Sequence, residues 1–447
     1  MQSEKAIENW LKQNNITEVE CLVPDITGNA RGKFIPAKKF LKEDSRLPEA
    51  ILAQTVTGEY SSNFWELLGT LDGDMLLEPD PGTMRLVPWA NETTGQIIHD
   101  CLTKDGKPHP FSTRNVLKRV LSLYEAEGWE PVIAPEMEFY LIEKNIDPDL
   151  VLKPPIGRSG RPETARQSYS IDAANEFEPF VETMYSYAEA MELDVDTLIH
   201  ESGAAQLEVN FIHGDALALA DQVFTFKRMV REAALKHDMY ATFMAKPMAI
   251  EPGSAKHIHQ SVISTKDRAN IFATADGQYS ELFYNYIGGL QMYTPFVMSF
   301  FAPNVNSYRR FTREVSAPIN LHWGFDNRTT GLRVPDASPR DYRVENRFPG
   351  ADVNPYLSIA ATLACGYLGM KKGLKPSAPF AGNAYMEDIT LPRSLEEALR
   401  GLEDNQDIVD LFGEKFIQLY TSIKLVEFEE FNRVISSWER QHLLLNV

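Results

Sequence analysis

The chain has 447 residues, 43% of them hydrophobic and 24% charged, which fits a soluble globular protein of roughly one to three domains with a large core. Its formal net charge of −19, from 63 acidic and 44 basic residues, argues against a nucleic-acid or anionic-membrane surface, since both want basic patches. Three scattered cysteines, Cys21, Cys101 and Cys365, form no zinc or CxxC spacing and point to a reducing compartment, and no apolar run reaches the ~18 residues a membrane span needs.

The N-terminus is polar, without the apolar stretch of a signal peptide, so a cytoplasmic location is expected. Residues 4–13 have the apolar spacing of a short amphipathic helix (Ile7, Trp10, Leu11). "VECLVPDITGNARGKFIP" reads as two strands joined by a Gly-containing turn, and about 50–105 is rich in short strands and turns. At Ser112 the texture changes: Val116, Leu117, Val120, Leu121 and Tyr124 share one helical face, with Ser112 or Thr113 as N-cap. This places a domain boundary in the Gly/Pro turn near 106, giving an N-terminal unit 1–105 and a larger unit 106–447. Next come a strand "PVIAPEMEFYLIE", a polar loop at about 145–168, a helix 175–191, a strand "QLEVNFI", a helix at about 216–237 and a strand "ATFMAKPM". Residues 353–372 and 394–446 read as helical. The alternation, with hairpin-like loops, gives an α+β fold with a largely antiparallel sheet.

Four segments bring acids or histidines onto predicted strands: Glu136 and Glu138 in "PEMEFY", Glu201 and Glu208 in "HESGAAQLEVNF", His257 and His259 in "KPMAIEPGSAKHIHQS", and Glu345 in "YRVENRFPG". Residues i and i+2 of a strand share a face. Taken singly, such a Glu pair is ordinary on a solvated strand, and Glu345 between Arg343 and Arg347 is an ordinary ion-pair cluster. Jointly, five glutamates and a histidine suit hard divalent ions such as Mg²⁺ or Mn²⁺ better than zinc, for which no thiolate is present. Arginines gather in "NSYRRFTR", "DNRTTGLR" and "SPRDYRVENRF", and their planar forks suit carboxylates and phosphates. Cations and arginines together suggest phosphoryl transfer. "GNARGKF" is one residue short of a Walker loop and lacks its Ser/Thr, so it reads as a strand turn.

These motifs, in this order, resemble the glutamine synthetase family over essentially the whole chain: "PEMEFYL", "HESGAAQLEVNF", "KPMAIEPGSAKHIHQS", "NSYRR", "DNRTTGLR" and "VENRFPGADVNPYL". The resemblance implies a small N-terminal β-grasp domain and then a catalytic domain with a curved antiparallel sheet and a two-metal site. It also implies a homo-oligomer, usually a dodecamer, with active sites between subunits. Carried over residue by residue, Glu138, Glu201 and Glu208 match the ligands of one Mg²⁺ or Mn²⁺, and Glu136, His257 and Glu345 those of the other. His259, Ser261, Arg328, Arg333 and Arg340 match ATP contacts. Gly253, Arg310 and Arg347 match glutamate contacts, and the resemblance implies that Arg310 and Arg328 are the catalytic arginines. A non-catalytic relative would be expected to have lost metal ligands, and all six are present.

The sequence departs from a glutamine synthetase at the ammonium pocket. The Asp-Gly-Ser-Ser stretch of the N-terminal domain is replaced by "TVTGEYSSN", where Glu59 is the nearest acid. The flap reads "FTREVSAPIN", with Ser316 where the family has Glu, and Glu314 two residues away. A buried ammonium needs carboxylates, and losing one leaves room for a longer amine. The pattern looks like the γ-glutamylputrescine synthetase branch, which joins L-glutamate to a diamine at the expense of ATP. A glutamine synthetase using ammonia is the alternative. Asp172 and Glu176, after Tyr169, are candidates for the diamine's far ammonium.

Overall fold

A computed structural model of the chain describes residues 2–447 apart from Leu41, Glu43, Asp44, Ser62, Thr70, Leu71, Ala165, Glu314, Val315 and Ser316. The expectations at Glu314 and Ser316 therefore lie outside the described residues.

The first strands are β1 (Glu18–Pro24), β2 (Ala30–Pro36), β3 (Ser45–Pro48), β4 (Asp74–Pro79), β5 (Arg85–Leu86) and β6 (Thr94–Leu102). They form a six-stranded sheet in the order β2-β1-β6-β4-β3, with β5 on β6 and a parallel β1/β6 pair. Helix α1 (Gln2–Gln13) lays the predicted face on this sheet, with Ile7 and Leu11 buried against Val19, Cys21 and Ile97. This is the expected β-grasp pattern.

Helix α2 (Thr113–Ala126) begins as predicted, with Ser112 Oγ accepting from Asn115 N. It ties the N-terminal sheet to the larger unit: Arg114 is 1% exposed and donates to Asp80 and Asp100 on one side and to Asp221 on the other. Apolar packing is also continuous, from Leu22, Val23 and Ile98 through Val116 and Val120 to Met137 and Phe139.

The second sheet has nine strands: β7 (Trp129–Glu143), β8 (Val195–His200), β9 (Gln206–Phe211), β10 (Gly214–Asp215), β11 (Met239–Thr242), β12 (Lys256–Ser264), β13 (Trp323–Phe325), β14 (Leu332–Val334) and β15 (Val344–Asn346). Its path is β13-β14-β15-β12-β7-β9-β8, with β10 and β11 on β7. Only β13/β14 is parallel among the described pairs of this sheet. One face is packed by α2, α3 (Ala216–Lys236) and α4 (Pro355–Lys372).

The structure corrects one sequence expectation and refines two. The strand predicted over "ATFMAKPM" stops at Thr242. Beyond it Lys246 N donates to Asn306 Oδ1, Ala245 O accepts from Ser254 N, and Pro247 has no N–H for a ladder. The helix predicted over 175–191 runs over Glu178–Ala190, with a separate short helix, Ile171–Asn175, before it, and the helical stretch 394–446 is made of four helices. A further helix, α5 (Glu281–Phe301), was not among the predicted elements, although Phe283, Tyr286, Ile287, Leu290, Val297 and Phe301 recur at helical spacing on one buried face. It crosses α4 closely, since a Cβ on Gly289 would stand 2.1 Å from Cys365 O.

Candidate active site

The alternation of β7 sorts its side chains. Ile133, Met137 and Phe139 turn into the helix-packed core, and Val132, Ala134, Glu136 and Glu138 turn to the opposite face. Register then decides what the acids meet. On β12, His257 lies opposite Glu136 and His259 opposite Ala134, while on β9, Glu208 lies opposite Glu138 and Asn210 opposite Glu136. On β15, Glu345 lies opposite His259, and on β14 Arg333 lies opposite Glu345. Their neighbours Ile258, Val209, Val344 and Leu332 are buried on the core side.

Glu136 is gripped by both histidines. His257 Nδ1 lies 3.0 Å from Glu136 Oε2, and His259 Nε2 lies 2.9 Å from Oε1. Arg343 Nε donates to His259 Nδ1 at 3.3 Å, so Nε2 is the nitrogen of His259 that donates to Glu136. Burial opposes ionisation of Glu136, yet the hydrogen bonds from His257 and His259 hold its carboxyl well below the usual range. Glu345 accepts from Arg347 Nη1 at 2.5 Å and from Arg333 Nη1 at 2.8 Å. Burial again opposes, but Arg347, His259 and His257 hold Glu345 down at about 2.

The other acids are in the reverse state. Burial, then the neighbouring Glu201, push Glu138 up to about 8. Burial and the charges of Glu136, Glu138, Glu201 and Glu345 raise Glu208 far above the carboxylate range, and burial raises Glu201. One oxygen of Glu138, Oε2, accepts from Ala255 N at 2.8 Å and Gln206 Nε2 at 3.1 Å.

Ligand atoms of Glu136, His257 and Glu345 lie within 4.8 Å of one another, and so do those of Glu138, Glu208 and His257. His257 Nε2 is buried without a hydrogen-bond partner. With Nδ1 donating to Glu136, that nitrogen keeps its lone pair. An orphaned imidazole nitrogen between carboxylates that repel one another is a donor set that fits hard divalent cations. Glu201 stands outside both close groups. It lines the same cavity, and its Oε2 accepts from Ser202 N at 3.2 Å.

Two clefts meet at this sheet face. The larger, about 1210 Å³, is lined by His259, Ser261, Arg333, Arg340 and Glu345, and so receives every residue matched to ATP. The smaller, about 480 Å³, is lined by Gly253, Arg310, Arg347, Glu138, Glu201, Glu208 and His257. Glu136, Asn210 and Arg328 line both. Arg328 has no ion-pair partner among the described residues, whereas Arg333 is shared between Glu345 and Asp326. Arg310 donates to the carbonyls of Phe348 and Arg347 at 2.7 and 3.0 Å, and burial lowers it to about 10, still a cation near neutrality. Gly253 is demanded by packing: a Cβ there would meet Arg310 Cγ at 2.6 Å and Ala245 O at 2.7 Å.

The acids considered for an amine fall elsewhere. Glu59 is exposed and lines neither cleft, on a loop whose Val56 N donates to Glu427 on helix Glu414–Asn432. Glu176 accepts from Ser159 N at 3.0 Å, and Asp172 is exposed in a first helical turn, so neither lines the clefts. Sequence reasoning passed over Gln206, Asn210 and Tyr385, all of which line the smaller cleft. Gln206 and Asn210 flank Glu208 at period two in "QLEVNF", a signal that was available. Tyr385 sits on a short turn, Ala384–Met386, with no local pattern to announce it.

The glutamine synthetase catalytic-domain family matches residues 110–443. The γ-glutamylputrescine synthetase PuuA of Escherichia coli (strain K12) is 34% identical over 444 residues, covering 97% of this chain and 92% of the relative. A glutamate–isopropylamine ligase of a Pseudomonas species is 33% identical over 445 residues, covering 97% and 96%. Among solved structures, ligand-free GmaS superposes with a TM-score of 0.83 at 26% identity, covering 98% of this chain and 99% of that one. The chain belongs to the glutamine synthetase family, whose members are ATP-dependent ligases using divalent metals.

Proposed function

We propose that the chain joins the γ-carboxyl of L-glutamate to an amine, with putrescine as the preferred acceptor, through γ-glutamyl phosphate. The observation that carries this reading is the pair of clefts meeting across Glu136, Asn210 and Arg328, with the ATP-matched residues on one side and the glutamate-matched residues on the other.

A carboxylate is a poor electrophile, so amide formation needs the γ-carboxyl phosphorylated first. In the larger cleft His259, Ser261, Arg333 and Arg340 hold ATP. In the smaller, Arg347 and Arg310 hold glutamate beside Gly253. Glu136, His257 and Glu345 would hold one Mg²⁺ or Mn²⁺, and Glu138, Glu201 and Glu208 the other. When bound, such ions neutralise phosphate charge and orient oxygens. Arg328, free of internal pairing and lining both clefts, meets the phosphoryl group as it crosses and stabilises its charge. The attacking amine must first lose a proton, because an alkylammonium has a pKa near that of lysine, about 10.4.

Two features support an amine larger than ammonia. Ser316 stands where the family carries an acid, and the two relatives named for their amines act on putrescine and isopropylamine. We further propose a boundary at 105/106 and a cytoplasmic homododecamer whose sites form between subunits. No helix among the described residues is long and apolar enough to cross a membrane.

The test is ATP- and glutamate-dependent phosphate release with putrescine, monoamines of the same length, isopropylamine and ammonium. Putrescine should exceed ammonium in kcat/KM by about 10²-fold or more, the discrimination a site built around a particular polar group can reach. Equal use of ammonium at low concentration overturns the amine assignment and leaves glutamine synthesis as the activity.

A further inference from the structure

One residue at the meeting of the clefts has no role in this scheme. Antiparallel register makes a two-by-two block on one sheet face: Glu136 opposite Asn210, and Glu138 opposite Glu208. Cβ atoms of such directly opposed residues are roughly 4.5–5.5 Å apart. Three corners of the block are carboxylates and the fourth is a carboxamide. Asn210 lines both clefts, a property it shares only with Glu136 and Arg328 among the residues lining them. Its amide oxygen is buried and has no hydrogen-bond partner. An orphaned buried oxygen is costly unless something outside the chain satisfies it.

We propose that Asn210 is a neutral oxygen ligand for one of the two proposed divalent cations, completing the block of Glu136, Glu138 and Glu208 at the point where phosphate passes from one cleft to the other. The inference rests on the two-cation reading of the proposed function. Hard cations accept amide carbonyl oxygens alongside carboxylates. The neutral group matters because a fourth carboxylate would add charge to three that already repel one another. It would also oppose the incoming phosphates.

Calorimetric titration of Mn²⁺ into the full-length protein, without ATP or glutamate, tests this for wild type, Asn210→Ala and Asn210→Asp. Asn210→Ala should bind one Mn²⁺ about tenfold more weakly, at the low end of what losing a partner of a metal site costs. Asn210→Asp restores an oxygen of the same size and should bind Mn²⁺ at least as tightly as wild type, yet turn over more slowly. Unchanged affinity in Asn210→Ala overturns the proposal, and so does Asn210→Asp binding as weakly as Asn210→Ala. Asn210→Asp keeps the side chain's shape, so a loss caused by misfolding of the alanine variant would be exposed by it. Wild type binding no Mn²⁺ removes the two-cation reading and this inference with it, whereas normal wild-type binding that both variants share removes this inference alone.

Discussion

Glu136 and Glu138 stand two residues apart on one face of β7, and they are in opposite electrical states. Glu136 faces β12, whose register delivers His257 and His259 to its two oxygens. Glu138 faces β9, which delivers another acid, Glu208. The direct donors to Glu138 are a backbone N–H and the amide of Gln206, both neutral. The half of the site around Glu136 and Glu345 is therefore balanced from within by histidines and arginines, and the half around Glu138, Glu201 and Glu208 is not. What separates two like residues on one strand is what the flanking strands set beside each: His257 and Asn210 for Glu136, Glu208 for Glu138. The second half needs positive charge from outside the chain.

The sharpest way to break this contrast is to remove one acid at a time. Glu136→Ala and Glu138→Ala should each lower kcat by about 10²–10³, the usual effect of deleting a preorganised electrostatic group. Their effects on stability should differ in size when metal is chelated. Losing Glu136 strips two histidines of a buried partner, which costs about 1–3 kcal/mol. Losing Glu138 strips Ala255 N and Gln206 Nε2 of their acceptor but also removes an acid crowding Glu208 and Glu201, so the net loss should be smaller. Urea unfolding in EDTA reads both, and a loss of stability in Glu138→Ala equal to that in Glu136→Ala would end the comparison.

Much of this was legible in the residue pattern. "PEMEFY" inside an apolar run announces two acids on one strand face, and "HIH" announces two histidines at the same period. The clefts in turn expose every residue that the motif order matched to metal, ATP or glutamate. What was hidden depends on pairing over long separations. That Asn210 opposes Glu136 comes from a β7/β9 register spanning some 70 residues, and nothing local to "VNF" encodes it. Helix α5 was legible but missed: Phe283, Tyr286, Ile287, Leu290, Val297 and Phe301 carry a one-face helical period. Glu59, Asp172 and Glu176 look like ligand candidates by charge, but charge does not say which way a loop presents it. Glu176 spends its carboxylate on the N–H of Ser159.

A smaller perturbation probes the glutamate side without touching an acid. Gly253→Ala sets a methyl group where Arg310 Cγ and Ala245 O now stand, at 2.6 and 2.7 Å. Arg310 must shift, and with it the Arg347 carbonyl it holds. We expect the KM for glutamate to rise by about 10–10², since a misplacement of about 1 Å costs that much. The KM for ATP should change little, because Gly253 and Arg310 line only the smaller cleft. Steady-state kinetics with each substrate varied in turn checks the split, and equal rises in both values would mean the clefts are not separable.

The mildest test asks the same question of pH. In the metal-free protein Glu138 titrates at about 8, raised by burial and Glu201, against about 4.3 for an unfolded glutamate. Between those values the folded form binds more protons than the unfolded form, so this group's contribution to stability falls as pH rises. Glu208 and Glu201, raised as well, act in the same direction. Glu136 and Glu345 act in the opposite sense and lower down: both are depressed, and their contribution is lost as pH falls through the acid range, for Glu345 toward about 2. Other buried groups tilt the curve too. His99 and His109, held at about 4 by burial, favour the folded state as pH rises through their unfolded range, and Lys227, lowered to about 7, does so above neutrality. Those groups are common to every sample, so the quantity to read is a difference. Melting temperature in EDTA minus that in Mg²⁺ should grow more negative from pH 5 to 8 for wild type, and should do so less for Glu138→Gln. A difference that stays flat across that range would mean the carboxylates around Glu138 carry no unmet charge for a cation to satisfy, and the asymmetry along β7 would have no thermodynamic content.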